Sequence, residues 1–243
     1  MIMKDFHVVY EDNHIIIVSK RAGILVQGDS TGDRTLTDAV KEYIKKKYDK
    51  PGDVFLHPVH RLDRPVSGLV IFARTSKGLE RMMEVFRKRE IQKTYWAVVR
   101  KKPANEKGKL THWLVKDEKR NVVTAHDTEV NGSQKAELYY KVLGTINKHY
   151  LLEVEPISGR PHQIRVQLAS MGCPIRGDLK YGYDRPNADG SINLHARRLY
   201  FTHPIKKEPI ICKAAVPPIP FWEEFLELDP EDIKQKNLGF LHE

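Results

Sequence analysis

The sequence has little cysteine and no long apolar run. Only Cys173 and Cys212 occur among its 243 residues, and they are not spaced as CxxC. Two cysteines are too few to staple a small secreted fold, so we expect free thiols. The opening residues, 1–7, include a lysine and an aspartate where a signal peptide would be apolar, and no stretch approaches the roughly 18 apolar residues of a membrane span. These absences predict a cytoplasmic protein without a membrane segment.

The common cofactor and metal motifs are missing as well. Neither GxxxxGKS/T nor GxGxxG occurs, so nucleotide-cofactor use has no support in the sequence. The segment around Ser67 lacks the first glycine of GxSxG, which argues against a serine hydrolase. His57 and His60 have the spacing of metal ligands, but the glutamate of HExxH is absent. We therefore expect no cofactor and no catalytic metal.

Positive charge exceeds negative charge along the chain. Lysine and arginine total 41, and aspartate and glutamate total 32, which gives a formal net charge of +9 at pH 7. This surplus favours a polyanionic partner, because each phosphate contact releases counterions. With 40% hydrophobic residues, the chain can bury the core of one large domain or two small ones.

One segment places charge where a core strand begins. Residues 59–70 read VHRLDRPVSGLV, with Asp63 between Arg61 and Arg64 and an apolar run directly after them. One interpretation is a carboxylate at the floor of a basic cleft, acting as a nucleophile or base while the cations bind a polyanion. The other is a solvated turn with incidental ion pairs. This segment alone does not decide between the two.

Strand patterns are frequent. Residues 6–20 predict a hairpin, and the continuous apolar run at 69–73 predicts a strand buried on both faces. Further strands are expected around Tyr95 and at 136–143, 150–155 and 198–202. Residues 101–135 are polar and poorly periodic, and Asn131-Gly132 within them is a hairpin signal. This irregular alternation of strands and helices predicts an α+β fold with a mixed, largely antiparallel sheet.

Three helices have start signals. Thr35 or Thr37 can cap one helix, which runs to about residue 47, and Thr75 or Ser76 can cap a second. The apolar stripe predicted for the second helix consists of Leu79, Met82, Met83 and Phe86. Pro161 is typical of a first helical position, which predicts a third helix over 162–170.

Three further blocks follow the HRLD segment in a fixed order. They read QKTYWAVV at 92–99, SGRPHQIRV at 158–166 and LHA at 194–196. Together with HRLD and SG, they resemble the pseudouridine synthases, and most closely the RluA-type branch of the ribosomal large-subunit synthases. The resemblance runs from about residue 10 to about residue 217, nearly the whole chain.

That resemblance implies a fold and a domain organisation. The expected fold is the pseudouridine-synthase fold, a long curved sheet flanked by helices, with the active cleft between two subdomains. We expect a single catalytic domain over residues 1–243, with a C-terminal extension at 218–243 whose aromatic residues 221, 222 and 225 indicate a docked helix. Relatives often carry an S4-like RNA-binding domain ahead of the catalytic one. Because the first predicted strand begins within ten residues of Met1, we expect that module to be missing.

The resemblance also implies a reaction, in which the N1–C1′ bond of a uridine breaks and the base rejoins through C5. Asp63 would attack C1′, or would remove the C2′ proton to give a glycal, and the sequence leaves both routes open. Arg165 would pair with Asp63 and fix its orientation. Tyr95 would stack on the displaced uracil or abstract a proton. The plainer interpretations are a helix-surface arginine and a core tyrosine.

A uridine inside folded RNA reaches a buried carboxylate only if it is flipped out of the stack. Arg61 looks like the residue that relatives insert into the vacated space, and Leu194 looks like an apolar lid over the base. Four more side chains are expected near phosphates: Arg64, Lys93, Arg160 and His162. We interpret His195 as a structural histidine.

Some positions depart from the family pattern. Val66 stands where relatives usually have threonine, Arg21 replaces a common proline, and Gln167 replaces a frequent histidine. None of these removes a proposed catalytic group. The alternative function is a non-catalytic RNA-binding or remodelling protein on the same fold, with Asp63 only bracing Arg165. The expected partner is an rRNA or tRNA stem-loop, and a monomer would suffice.

Overall fold

The structure, a computed structural model, describes residues 5–29 and 31–229, and these form eleven strands and four helices. The strands are β1 (Phe6–Glu11), β2 (Ile15–Lys20), β3 (His57–Pro58), β4 (Ser67–Ala73), β5 (Ile91–Val99), β6 (Lys107–Asp117), β7 (Val122–His126), β8 (Gln134–Ile146), β9 (His149–Pro156), β10 (Leu194–Thr202) and β11 (Pro209–Lys213). The helices are α1 (Leu36–Lys47), α2 (Ser76–Arg87), α3 (Gln163–Ser170) and α4 (Pro220–Glu223). Short 3₁₀ helices occupy Leu179–Tyr181 and Glu224–Leu228.

All eleven of these strands belong to one open sheet. Its order is β1-β2-β4-β10-β5-β9-β8-β6-β7, with β11 beside β10 and β3 beside β4. The named strands pair antiparallel, except that Ser67 and Gly68 of β4 run parallel to His195 and Ala196 of β10. The predicted α+β fold with a mixed, mainly antiparallel sheet is therefore confirmed.

The predicted hairpin and the apolar run form the centre of the N-terminal half. Strands β1 and β2 pair as the hairpin over 6–20, and all seven residues of β4 are buried. Alternate side chains of β2 and β4 pack into two separate cores, one with α1 and one with α2. A strand buried on both faces has no need for polar residues, which accounts for the continuous apolar run.

Helix α1 is capped by Thr35, one of the two threonines predicted for this role. The side chain of Thr35 accepts a hydrogen bond from the Asp38 N–H at 3.1 Å, and the Asp38 carboxylate accepts one from the Thr35 N–H at 3.0 Å. This reciprocal capping box satisfies two backbone donors that the first turn leaves free. The buried side of α1 consists of Leu36, Ala39, Val40 and Ile44.

Helix α2 also has its predicted cap, because the hydroxyl of Thr75 accepts from the Gly78 N–H at 3.0 Å. The predicted apolar stripe is wrong at one position. Met83 is 51% exposed, whereas Val85 is buried beside Met82. Each residue turns the helix by about 100°, so the stripe that contains Met82 and Val85 leaves Met83 on its flank.

Strand β5 alternates its side chains between the two faces of the sheet. One core contains Tyr95, Ala97 and Val99, and the opposite one contains Trp96 and Val98, as predicted. The second face is covered by the C-terminal segment through Trp222 and Phe225, which are 2% and 0% exposed. The docked helix is thus confirmed. The rest of the expected extension, 230–243, lies outside the described residues, as do residues 1–4.

The stretch at 101–135 is more regular than its composition suggested. Strands β6 and β7 lie within it and pair with each other, and β6 also pairs with β8, which begins at its end. Asn131-Gly132 lies in a turn in which Gly132 has a φ of +76°. The hairpin prediction is nevertheless wrong, because β7 and β8 on either side of this turn each pair with β6 and not with each other. Strand β6 lies between them and uses both of its edges.

Helix α3 begins later than its proline predicted. Pro161 is not the first helical residue; Gln163 is, and His162 before it adopts a left-handed conformation with a φ of +51°. The side chain of Gln163 accepts a hydrogen bond from the Arg160 N–H at 3.1 Å, which stabilises the turn. Buried residues occupy six consecutive positions of this helix, 163–168, so its second turn lies inside the molecule.

Candidate active site

The HRLD segment bridges two strands of the sheet. The Val59 N–H donates to the carbonyl of Ile71 in β4 at 2.9 Å, and the Pro65 carbonyl accepts from Ile192, just before β10, at 3.1 Å. His60 Nε2 accepts a hydrogen bond from the Ile71 N–H at 3.1 Å. Burial lowers the pKa of His60 to about 3, so this ring is a neutral acceptor. The segment is therefore tied to β4 through Val59 and to the residue before β10 through Pro65.

A glycine permits these two strands to approach each other. Gly68 has a φ of +112°, and a Cβ placed on it would lie 2.3 Å from the carbonyl oxygen of Ala196 in β10. Only glycine fits a backbone that is both left-handed and this crowded. The glycine of this SG pair is therefore required by the parallel contact.

Asp63 and Arg165 meet, although 102 residues separate them in the sequence. Arg165 Nη1 donates to Asp63 Oδ2 at 2.8 Å. The side chain of Arg165 is 6% exposed and that of Asp63 is 28% exposed, so part of the Asp63 side chain is open to solvent. The prediction that these two residues pair is confirmed, and Arg165 is not a helix-surface residue.

A second aspartate, which sequence reasoning missed, completes the arrangement. Asp178 accepts from Arg165 Nε at 2.7 Å and from Nη2 at 2.9 Å, and only 1% of its side chain is exposed. Burial alone would lower the pKa of Arg165, but Asp178 and then Asp63 raise it above its ordinary value. Arg165 is therefore a fixed cation between two carboxylates. The sequence signal was a lone Gly177-Asp178 loop, which has no distinguishing spacing.

Tyr95 lies beside this pair on β5. Its cross-strand neighbours are Val154 in β9 and Ala196 in β10, and 9% of the residue is exposed. Burial raises the pKa of its phenol above the ordinary value, and the charge of Asp63 raises it further. The phenol is thus protonated at neutral pH, which suits hydrogen-bond donation or stacking.

Lys20 is a second residue that sequence reasoning missed. Its Nζ donates to the carbonyls of Arg21, Ile24 and Arg64 at 3.0, 2.8 and 3.1 Å. The residue is 1% exposed, and burial lowers its pKa to about 7 although the charge of Asp63 opposes this. Lys20 ties the loop after β2 to the aspartate loop. A lysine at the end of a buried strand was the only signal.

His162 faces Asp63 from the start of α3. Its Nε2 lies 3.9 Å from Asp63 Oδ2, and its Nδ1 lies 2.6 Å from the Tyr181 hydroxyl. That hydroxyl accepts from the Val123 N–H at 3.0 Å, so its own proton can go to His162 Nδ1. Burial lowers the pKa of His162, opposed by Asp63. The neutral ring would then present its Nε2–H towards Asp63.

The other predicted cations differ in how freely they are available. Arg61 is exposed and has no hydrogen bond or ion pair within 5–29 and 31–229. Arg64 is also exposed, but it pairs with Asp33 at 2.9 Å and with the carbonyl of Gly23 at 3.0 Å. Arg160 is exposed on the turn before α3. Arg61 is therefore free to contact a ligand, whereas Arg64 is partly occupied by its two partners.

Comparison with known proteins shows the family. The model of the RNA pseudouridylate synthase family matches residues 14–170. The chain belongs to this family. A ribosomal large subunit pseudouridine synthase C from Rickettsia bellii is 31% identical over 87% of this chain and 68% of its own length. A tRNA pseudouridine synthase C from Vibrio parahaemolyticus is 31% identical over 87% of this chain and 91% of its own length.

A solved structure shows the same fold. The human RNA pseudouridylate synthase domain containing 4 superposes with a TM-score of 0.73 at 24% identity, covering 91% of this chain and 92% of that one. Pseudouridine synthases are isomerases that act on RNA, so the resemblance stated from the motifs is confirmed. The alternative of a non-catalytic RNA-binding protein finds no support among these relatives.

Two residues of the LHA block lie inside this pseudouridine synthase. Leu194 is the first residue of β10, is 4% exposed and packs in the same core as Tyr95. His195 is 1% exposed and its Nδ1 lies 2.9 Å from the Ser67 hydroxyl. Burial lowers the pKa of His195 to about 3, so it is a neutral structural residue, as we interpreted it.

Metal ligands do not cluster in the described part of the chain. It contains no group of three or more His, Cys, Asp or Glu side chains that could hold a metal ion. His57 and His60 do not converge, since His57 Nδ1 lies 3.0 Å from the carbonyl of Pro58 while His60 bonds to β4. Among the same residues, none of the helices is long and apolar enough to span a membrane.

Proposed function

We propose that this chain isomerises one uridine of a structured rRNA or tRNA, with Asp63, Tyr95 and Arg165 as the catalytic residues. The observation that carries the proposal is the hydrogen bond of 2.8 Å between Arg165 Nη1 and Asp63 Oδ2. One oxygen of the carboxylate is fixed by a buried cation, and the side chain still has solvent-exposed surface. A carboxylate that is oriented but accessible suits reaction at a ribose.

The reaction breaks N1–C1′ and forms C5–C1′ in the same nucleotide. Asp63 either attacks C1′ and is later displaced, or removes the C2′ proton and later returns it. In both routes the hydrogen at C5 leaves as a proton and N1 gains one, so the product is an isomer. Tyr95 holds its proton at neutral pH because burial raises its pKa. We propose that it acts as a stacking platform and hydrogen-bond donor for the displaced uracil.

The target uridine reaches Asp63 by flipping out of its helix or loop. Arg61, exposed and unpaired within the described ranges, fills the vacated position. Leu194 closes the apolar side of the base pocket beside Tyr95. The phosphates on either side are bound by three cations, Arg64, Lys93 and Arg160, and by the neutral ring of His162 as a hydrogen-bond donor. The net charge of +9 supports this use of phosphate contacts.

The substrate is an rRNA or a tRNA, because relatives with either name are about equally similar to this chain. We place the protein in the cytoplasm, where such RNAs are processed. We also propose that it acts as a monomer, since Asp63, Tyr95 and Arg165 are brought together within a single chain.

The test is release of tritium from RNA labelled at uridine C5, using total cellular RNA and purified protein. We expect release by the unchanged protein, and loss of more than about a thousandfold in Asp63→Asn with RNA affinity retained. Asp184→Asn is the matched control, because Asp184 is exposed and its ion pairs among residues 5–29 and 31–229 are with two surface arginines. No release by the unchanged protein, together with equal RNA binding by Asp63→Asn, would support the non-catalytic function instead.

A further inference from the structure

Two side chains face the same oxygen of Asp63. Arg165 Nη1 donates to Oδ2 at 2.8 Å, and His162 Nε2 lies 3.9 Å from that oxygen. Within the ranges described, Oδ1 has no hydrogen-bond partner, and it is not one of their buried unpartnered polar atoms, so it keeps surface open to solvent. Oδ1 is therefore the oxygen that can approach C1′ or C2′ of a ribose, whereas Oδ2 is turned towards Arg165 and His162.

The Nε2 atom of His162 has no hydrogen-bond partner of its own. Its separation of 3.9 Å from Asp63 Oδ2 is too long for a hydrogen bond. No other hydrogen bond to Nε2 forms among residues 5–29 and 31–229, and the atom is not one of their buried unpartnered polar atoms. It therefore keeps surface that a ligand at Asp63 can reach.

The backbone of His162 serves the direction of its ring and not the helix that follows. Its φ of +51° is left-handed, a conformation that is unfavourable for a residue with a Cβ. His162 occupies the N-cap position of α3, yet its side chain makes no capping hydrogen bond there. The ring instead lies between Tyr181 and Asp63. Backbone strain of this kind is common where a side chain must be aimed at a ligand.

Tyr181 determines which ring nitrogen of His162 carries the proton. The Tyr181 hydroxyl accepts from the Val123 N–H at 3.0 Å, so its own proton is directed to His162 Nδ1 at 2.6 Å. Burial lowers the pKa of His162, and the neutral ring then carries its single proton on Nε2. The Tyr181 ring also lies under the guanidinium of Arg165, at 5.0 Å. One residue thus positions both neighbours of Asp63 Oδ2.

The gap between His162 Nε2 and Asp63 Oδ2 suits a hydroxyl group. An oxygen placed there must accept from the N–H and donate to the carboxylate, and a hydroxyl does both. A phosphate oxygen only accepts, and it would face the negative charge of Asp63. Along an RNA chain the 3′ and 5′ oxygens are esterified, so the 2′-hydroxyl is the free hydroxyl of each nucleotide. It is bonded to C2′ and lies two bonds from C1′, the two carbons at which Asp63 can react.

We infer that His162 Nε2–H donates a hydrogen bond to the 2′-hydroxyl of the target uridine, and that this hydroxyl donates to Asp63 Oδ2. The inference rests on the proposed function and narrows the role of His162 from a phosphate contact to the ribose of the target itself. The contact holds the sugar with its reacting carbons beside Oδ1. It also distinguishes RNA from DNA at the site, because the 2′-hydroxyl is what DNA lacks.

The experiment measures, by fluorescence anisotropy, the affinities for a short oligouridylate and for the same oligomer with 2′-fluorine in place of each 2′-hydroxyl. Fluorine keeps an RNA-like sugar but donates no hydrogen bond. The key variant is His162→Asn, because asparagine tolerates the left-handed backbone and its shorter side chain does not reach the gap. We expect the ratio of the hydroxyl to the fluoro affinity to fall about three- to tenfold, the usual net effect of such a hydrogen bond.

His149→Asn is the matched control. His149 is also partly buried, but its ring contacts Phe221 at 5.3 Å and makes no contact with Asp63. It should leave the ratio within about twofold of the unchanged protein. Tyr181→Phe is the second variant and decides the test if His162→Asn does not fold. It retains the ring but removes the hydroxyl that keeps the proton on Nε2, so the ratio should fall in the same direction.

The outcomes separate this contact from the other roles of His162. Equal losses of affinity for both oligomers, with the ratio unchanged, overturn the inference and leave His162 as a phosphate contact or a structural residue. That result would stand even if tritium release shows the protein to be active. A lowered ratio in a protein that releases no tritium would support the ribose contact while refuting the proposed function.

Discussion

Asp178 binds Arg165 through Nε and Nη2, which leaves Nη1 to donate to Asp63. The guanidinium is therefore fixed in its plane by a residue that has no path to the substrate, since Asp178 is 1% exposed. The orientation of Asp63 therefore depends on a carboxylate that is itself buried.

Asp178→Asn is expected to lower turnover by about 10- to 100-fold, as loss of an orienting partner typically does. The amide retains one acceptor and turns an NH₂ group towards the guanidinium, so Arg165 moves relative to Asp63. RNA affinity should stay within about twofold, because the change is buried. Tritium release and anisotropy on the same RNA measure the two quantities, with Asp184→Asn as the control. A large loss of affinity with normal turnover would contradict the positioning role.

Lys20→Met is expected to alter how stability depends on pH. In the folded chain, burial lowers the Lys20 pKa to about 7, so between pH 7 and its unfolded value the unfolded state binds more protons. The free energy of unfolding of the unchanged protein therefore rises with pH in that window, by at most about 1.4 kcal/mol per pH unit from this group. The methionine variant lacks that contribution.

Urea unfolding at pH 7, 8 and 9 measures the difference between the two proteins. The free energy of unfolding of the unchanged protein should increase relative to that of Lys20→Met as the pH rises. Lys41→Met, on the outer side of α1, should follow the unchanged protein at every pH. If the free energy of unfolding changes with pH in the same way in the unchanged protein and in Lys20→Met, Lys20 does not titrate in this window.

Tyr95→Phe separates stacking from hydrogen bonding. It preserves the ring and removes a hydroxyl that has no hydrogen-bond partner in the described part of the chain. We expect turnover to fall about 10- to 100-fold while RNA affinity is unchanged, because the phenol would donate to the detached uracil only during the reaction. Tyr95→Leu should lose activity further. Equal turnover in Tyr95→Phe and the unchanged protein would leave stacking as the only role.

Arg61→Ala should affect structured RNA more than RNA whose target uridine is already unpaired. If Arg61 fills the space of the flipped nucleotide, its loss leaves part of an unstacking cost of a few kcal/mol uncompensated. Turnover on a duplex target should therefore fall at least about tenfold more than on the same sequence in a single strand. Arg185→Ala, on a surface loop, controls for loss of charge. An equal effect on both substrates would assign Arg61 to phosphate binding.

Local sequence patterns predicted the strands and the capped helices, and short motifs predicted the catalytic candidates Asp63, Tyr95 and Arg165. Both kinds of signal lie in residues that are neighbours in the sequence. The roles of Asp178 and Lys20 were not predicted. Each is distinguished by its partners, and only the folded chain brings those partners close. Arg165 and Asp63 are themselves 102 residues apart, and their pairing came from the resemblance. Met83 was assigned to the buried face because Met82 and Met83 are adjacent apolar residues, which leaves the buried face of the helix ambiguous. The hairpin at Asn131-Gly132 was predicted wrongly because the strands on either side of this turn both pair with β6.

Gly68→Ala tests whether the contact between β4 and β10 builds the site. The variant combines a left-handed backbone, φ +112°, with a Cβ only 2.3 Å from a carbonyl oxygen. Gly132→Ala is the matched control, because its φ is +76° but nothing lies within 4 Å of the added atom. Backbone strain alone costs about 1–2 kcal/mol, so Gly132→Ala should lose about that much stability and retain activity. Gly68→Ala should lose more than about 3 kcal/mol or fail to fold.

If Gly68→Ala does fold, its tritium release should fall far more than its thermal stability, because separating β10 from β4 moves the loop that carries Asp63. That loop is held by β4 at Ile71 and by Ile192 just before β10, so a shift of either strand is transmitted to the carboxylate. If Gly68→Ala folds with the stability and turnover of Gly132→Ala, β4 and β10 can move apart without disturbing Asp63. The parallel contact between the two strands would then not be needed to position the site.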